Sequence, residues 1–526
     1  MNESILNRRD VLKISVLGAA ALALPLQQGV QAATVPRMPS SKLPAPYTVP
    51  FVRPPVAQRV RYDAETNTDY YRIVQKPAVA KILPGYNTPV FSYNGSVPGP
   101  TIIVPQNRRT VVRQINQLPS NHPTMGYVSS TSTHLHGAPA LPQYDGYASD
   151  LTFPGQGKDY VYDNTEPART LWYHDHAAHH TAPNVYFGLA AQYQLTDPQE
   201  RALPIPKGGY DIPLVLSDAI FGTDGSLLFA SDTRHGLTGD VILVNARPWP
   251  VLKVERRKYR FRLLNASVGR GFRLALSTGL PMTVIATDGG LMPAPRQVTD
   301  LRFGMGERYE VVIDFAQYKI GQRVELRNLG VPNTADYANT DKVMAFDVAA
   351  NAASNANNSI PDQLNPDNMI MQLTPDMASV TRRFEVDREN DIWEIAGMTW
   401  RQVEASGFTA TFAKPQPYTA EIWEIVNKSD GWFHPVHPHL IDFQILSRNG
   451  QPPRPQELGP KDVVYIGEGE TVRLLTYFSG PEGRYMIHCH HLIHEDHDMM
   501  GQFEVGQGGN DPFSAPPRPI AALPPL

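Results

Sequence analysis

The chain has 526 residues, 41% of them hydrophobic and 19% charged, with a formal charge of −4. That length allows two to four domains, and the mild acidity gives nucleic acid or an anionic membrane no electrostatic hold on it. A single cysteine, Cys489, excludes an internal disulfide, while 49 prolines and 39 glycines among short Val/Ile/Tyr-rich runs predict an all-β protein with many turns.

Residues 1–32 read as an export signal. Asn7, Arg8, Arg9, Asp10, Val11, Leu12 and Lys13 match the twin-arginine pattern, an apolar run over residues 14–26 follows, and Val30-Gln31-Ala32 offers a cleavage site. The apolar run is too short for a resident membrane span. The expectation is export by the twin-arginine route to the periplasm or beyond, with no membrane attachment after cleavage.

Strand-like segments begin near Arg59, and the turn chemistry of residues 94–100 leads into a strand at 101–104. Two His-x-His pairs end apolar, strand-like runs: His134/His136 in THLHG and His174/His176 in LWYHDH. A first domain is expected over residues 33–198. A second, over 207–350, contains one histidine, His235, and no metal-type spacing, so it reads as a wall between its neighbours. Residues 351–365 read as a surface linker. A third domain, over 366–508, carries FHPVHPH at 433–439 and MIHCHHLIHEDHDMM at 486–500. The Pro/Gly-rich tail beyond 507 is expected to be extended or loose.

The 486–500 stretch carries the chemistry. A thiolate (Cys489), a histidine five residues on (His494) and a methionine five beyond that (Met499) are three ligands of a blue-copper centre, soft enough to select copper. On a strand, His488 and His490 face away from whatever Cys489 binds, towards a second site. A zinc site would show Cys-x-x-Cys or histidines at helical spacing, and neither occurs. With His437/His439 there are four His-x-His pairs; at a strand rise of about 3.3 Å the two members lie roughly 6.6 Å apart, so one pair can reach two neighbouring ions. Eight imidazoles fit three metal ions as two, three and three. His434 then completes the set around Cys489. His122, His179, His180, His235, His491 and His497 are left as surface or supporting residues.

Taken together these motifs resemble the multicopper oxidases, and among them the bilirubin oxidases related to bacterial spore-coat-type laccases. HLHG at His134, LWYHDH at Leu171, GDVILVNARPWP at Gly239, RKYRFRLLN at Arg257, GERYEVVIDF at Gly306, NTDKVM at Asn339, GWFHPVHPHLIDF at Gly431 and HCHHLIHEDHDMM at His488 carry the resemblance over nearly the whole chain. It implies three cupredoxin-like Greek-key β-sandwich domains and four copper ions. The type 1 copper would take His434, Cys489, His494 and Met499, and the type 2 copper His134 and His437. The two type 3 coppers would take His136, His174 and His490, and His176, His439 and His488, with the trinuclear cluster between domains one and three. Substrate would lose single electrons at the type 1 copper, Cys489 would conduct them, and O2 would be reduced by four electrons to water. Asp145 and Glu495 match the family's proton-relay acids, Trp432 matches a residue at the substrate edge, and Asp175 would orient a ligand histidine from behind. Pro438, between two ligands, departs from the pattern and removes a backbone donor.

The implied activity is oxidation of bilirubin, phenols or aromatic amines by a monomer whose partners are a small-molecule donor and O2. Rival readings are a periplasmic Cu(I) or Mn(II) oxidase, which favours a methionine-rich insert, and a copper-free scaffold of the same fold, which would have lost ligands. A copper nitrite reductase would need fewer His-x-His pairs.

Overall fold

The computed structural model describes residues 35–230 and 236–526; the export-signal expectation and His235 lie outside the described residues. In the first region one sheet is centred on Thr68–Ala80, parallel to Arg109–Asn116, which is antiparallel to Gln156–Tyr162. The middle region repeats this order with Asp211–Ala219, Lys258–Asn265 and Arg308–Asp314. The third repeats it with Ala378–Glu389, Ala420–Asn427 and Thr471–Tyr477. Parallel neighbours cannot be joined by a tight turn, so the chain crosses to the facing sheet and back. The result is three cupredoxin-like β-sandwiches, a threefold recurrence too weak to read from the residues.

The strands that matter for function lie in the facing sheets. In the first sandwich they are β1 (Thr133–His136) and β2 (Arg169–Asp175), antiparallel with His134 opposite His174. In the third they are β3 (His434–Pro438), β4 (Val464–Ile466), β5 (Gly483–Cys489) and β6 (Met500–Val505), in the order β4-β3-β5-β6. Strand alternation sorts their residues. Leu135, Leu171 and Tyr173 enter the core of the first sandwich; Val436, Tyr485, Ile487 and Cys489 enter that of the third, among Trp423, Phe443 and Phe503. The alternate residues, including all four His-x-His pairs, turn outward and meet where the first and third sandwiches face each other. Burying a side chain of this size stabilises the fold by about 1.5–3 kcal/mol, so the apolar set holds the histidine set in register.

The 351–365 surface linker is pinned to the middle sandwich: the Arg257 guanidinium donates to the carbonyls of Ser354 (2.6 Å), Ala356 (2.8 Å) and Asn357 (3.2 Å), and Leu364 is buried. The tail also returns to the body. Arg518–Pro519 pairs antiparallel with Gly157 and Gln156 of the first sandwich, an edge position where a proline's missing N–H costs little. Arg113 grips Asp159 through Nε (2.6 Å) and Nη2 (2.8 Å) and donates from Nη1 to the Pro524 carbonyl (2.5 Å).

A chain ended after residue 509 is therefore expected to lose on the order of 1–3 kcal/mol and to unfold a few degrees earlier in a thermal scan. An unchanged midpoint would show that the tail adds nothing.

Candidate metal centres

The four His-x-His pairs form one buried cluster, each ring at most 1% exposed. His134 and His437 approach through their Nε2 atoms at 3.4 Å, while their Nδ1 atoms donate to the backbone carbonyls of Asp145 (2.5 Å) and Asp462 (2.7 Å). His136 Nδ1 lies 3.2 Å from His490 Nε2, and His176 Nε2 lies 3.2 Å from His488 Nε2. His439 joins His176 and His488 with ligand atoms within 4.8 Å of one another. His174 Nδ1 donates to the Asp175 carbonyl (2.8 Å), and its buried Nε2 has no hydrogen-bond partner among the described residues, nor has that of His439. Burial pushes the pKa of His136, His174, His176, His437, His439 and His490 downward. These rings are neutral near pH 7, the form that binds a metal. A buried ring nitrogen without a partner is costly, and a cation between converging nitrogens removes that cost, so the residues fit a metal cluster.

The second centre sits inside the third sandwich. Cys489 Sγ is 3.3 Å from His434 Nδ1 and 4.0 Å from His494 Nδ1, and Met499 is fully buried in the same apolar cluster. Ser429 Oγ lies 2.7 Å from His434 Nε2 and leaves Nδ1 to face the sulfur. The His491 backbone N–H donates to Sγ at 3.4 Å. Burial pushes the Cys489 thiol well up, so only an ion that displaces the proton makes it a thiolate here. The His494 ring lies between two others, Trp393 at 4.0 Å and His491 at 3.7 Å with a 6° interplanar angle.

Trp432 meets His494 edge-on at 5.0 Å and borders a polar cleft shared with Asp387, Arg388, Asp391, Lys428 and Asp430. Asp145 and Glu495 both reach the cluster. His439 Nδ1 donates to Asp145 Oδ2 at 2.7 Å, and Glu495 Oε2 lies 2.9 Å from His488 Nδ1. Burial raises the Asp145 carboxyl pKa. It acts the same way on Glu495, but the neighbouring His488 and His176 outweigh it and hold that carboxyl below its usual range.

Asp175 turns its side chain away from the cluster and orients His174 through its backbone carbonyl. Its carboxylate accepts from the N–H groups of Ser132 (3.0 Å) and Ala177 (3.1 Å) and from Asn184 Nδ2 (2.8 Å); its carbonyl, not its carboxylate, holds His174. Two contributors carry no sequence signal of their own: His491, set aside as a supporting residue, stacks on His494, and Asp462 touches both His136 and His437. His122, His179, His180 and His497 belong to neither centre.

The arrangement defines a copper protein with a buried thiolate centre joined to a histidine cluster. Multicopper oxidase family profiles match residues 76–198, 217–332 and 372–509. The chain is 40% identical to a bilirubin oxidase of Albifimbria verrucaria, covering 93% of this chain and 88% of that protein. It is 32% identical to a laccase of Bacillus subtilis (80% and 90% covered). Among solved structures it is similar to a laccase of Pediococcus acidilactici, with a TM-score of 0.77, 28% identity, and 88% and 95% covered. The chain belongs to the multicopper oxidases: it is an oxidoreductase with O2 as acceptor and four copper ions, one type 1, one type 2 and two type 3.

Burial lowers His176, His434 and His491 from 6.5 to about 3. Between those values the unfolded chain binds more protons than the folded one, so protonation favours unfolding. The metal-free protein is expected to keep these contributions above about pH 6.5 and to lose stability steadily as pH falls towards 3. Denaturant midpoints of metal-free protein across that window check this; a level midpoint down to about pH 4 would contradict it.

Proposed function

We propose that the type 1 copper is held by His434, Cys489, His494 and Met499, the type 2 copper by His134 and His437, and the type 3 pair by His136, His174 and His490 and by His176, His439 and His488. Copper bound there would accept single electrons from a donor at the first centre and deliver four to O2 at the cluster. The observation that carries the reading is Cys489 itself. Its side chain faces the third sandwich's core while its two neighbours, His488 and His490, face the cluster, so a few covalent bonds connect the centres.

Trp432 forms the donor edge, with one face on the polar cleft and its ring against His494. Asp145 and Glu495 hold and pass protons at the cluster: each lies against a ligand ring and each is cut off from bulk water. Suitable donors are bilirubin, phenols and aromatic amines, the first by likeness to the bilirubin oxidase. The rival readings lack support: no ligand is missing, as a scaffold would require, and the fourteen methionines form no dense block.

The domains run over residues 33–198, 207–350 and 366–508, in keeping with the sheet groupings. The twin-arginine pattern of residues 7–13 supports export to the periplasm, and the protein is taken to act as a monomer. Among the described residues no helix is long and apolar enough to cross a membrane.

Copper-loaded Cys489→Ser protein tests the assignment. It is expected to keep its far-UV circular dichroism and to lose both the blue absorption and O2 uptake with bilirubin or a dimethoxyphenol. An unchanged visible spectrum would refute it.

A further inference from the structure

The middle sandwich holds none of the proposed ligands, yet one of its side chains, Arg308, acts on the cluster through Asp462 of the third sandwich. Asp462, on the loop leading into β4, contacts two ligand rings from different sandwiches. Its carbonyl accepts from His437 Nδ1 at 2.7 Å, and its carboxylate Oδ1 lies 3.1 Å from His136 Nε2. One residue thereby selects opposite nitrogens in the two rings. His437 is left with Nε2, 3.4 Å from His134, and His136 with Nδ1, 3.2 Å from His490. Fixing the outer nitrogen fixes both tautomer and ring plane.

Asp462 is itself held by the middle sandwich. Arg308 donates through Nη1 and Nη2 to Asp462 Oδ1 and Oδ2, both at 2.5 Å. The Arg308 Nε donates to the Thr170 carbonyl on β2 at 2.9 Å, so one guanidinium ties the strand carrying His174 to the loop carrying Asp462. Asp288, also from the middle sandwich, accepts from the backbone N–H groups of Asp462 and Val463 (3.2 Å each) and of Arg308 (2.6 Å). Arg308 and Asp288 are fully buried, and Asp462 is 1% exposed.

Two local features keep this contact possible. Gly137, at φ +90°, has no room for a side chain: a Cβ there would lie 2.5 Å from Asp462 Oδ2 and 2.6 Å from Arg308 Nη2. Pro438 explains why the Asp462 carbonyl is available. His490 donates to Pro435 and His439 to Met486, so odd residues of β3 bond to β5 and even ones face β4. Extending the β3–β4 register of Val436 with Val464 places Pro438 opposite Asp462. With no N–H at Pro438, the carbonyl is left to His437.

We propose that Arg308 is a positioning residue for the trinuclear cluster, acting through Asp462 to orient one histidine of the type 2 site and one of a type 3 site. A buried ion pair is poor evidence of net stabilisation, because desolvation offsets the attraction. The geometry of the pair is what reaches the rings, and a planar fork, unlike an ammonium, fixes it.

This rests on the ligand reading above, so wild-type protein is measured alongside. Copper-loaded wild type and Arg308→Lys are compared by copper content during chelator titration, by the blue band, by the paramagnetic resonance signal of the isolated type 2 copper and by the near-ultraviolet band of the coupled pair. Lysine keeps the charge and loses the fork. The variant is expected to keep the blue band and to release cluster copper at 10- to 100-fold lower chelator concentration, the usual cost of losing an outer contact, with an altered type 2 signal. If Arg308→Lys does not accumulate folded, Asp462→Asn takes its place: it keeps the carbonyl for His437, so the pair's band should change more than the type 2 signal. Wild-type signals and copper retention in the variant, or loss of the blue band in parallel with the rest, would overturn the proposal. Wild type without a type 2 signal or a coupled pair would instead overturn the ligand reading.

Discussion

The antiparallel pairing of β3 with β5 sets His437 opposite His488 and Val436 opposite Cys489. Strand alternation then sends Val436 and Cys489 into the apolar core of the third sandwich and both histidines out of it. Slipping this register by one residue would reverse every side chain and place the thiol at the interface. The same logic operates in the first sandwich, where His134 opposite His174 leaves Leu135, Leu171 and Tyr173 inside. Two half-clusters, each fixed by the hydrophobic core behind it, face one another with their ligand atoms converging.

Burial gives these groups their chemical character. Imidazoles have little reason to converge in a dry interface, or a thiol held protonated by burial to face two of them inside the third sandwich, unless cations are bound there. The carboxylates within reach are few and placed: Asp145 on His439, Glu495 on His488, Asp462 on His136. Each orients a ring. The first two are the proton carriers of the proposed function, while the third is committed to Arg308.

How much of this was legible in the chain depended on distance along it. The four His-x-His pairs and the His-Cys-His run are local patterns, and local patterns survive in one dimension. The strand period then told correctly that Cys489 and its neighbours face different ways. The same period turns the Asp175 side chain away from the cluster, but it does not say that the carbonyl is the group that holds His174. Asp462 and Arg308 were invisible: 154 positions separate the two and 326 separate Asp462 from His136, and a lone Lys-Asp pair before a strand looks like any other. The ordered tail was missed because proline and glycine content signals the absence of regular structure, not the absence of a docking partner such as Arg113.

The middle sandwich changes most in this light. From sequence it reads as a wall; in the fold it grips the first and third sandwiches through Arg308 and Asp288 at the point where their ligands meet. The central claim, however, is that histidines from two separate sandwiches share one set of ions while a lone sulfur serves another. Diffraction from copper-loaded crystals at the copper absorption edge tests it most directly. Four anomalous peaks are predicted, three enclosed by the eight outward-facing imidazoles and one beside Cys489 Sγ within reach of His434 and His494. A single peak at the sulfur with nothing between the sandwiches, or peaks ligated by other residues, would contradict the account.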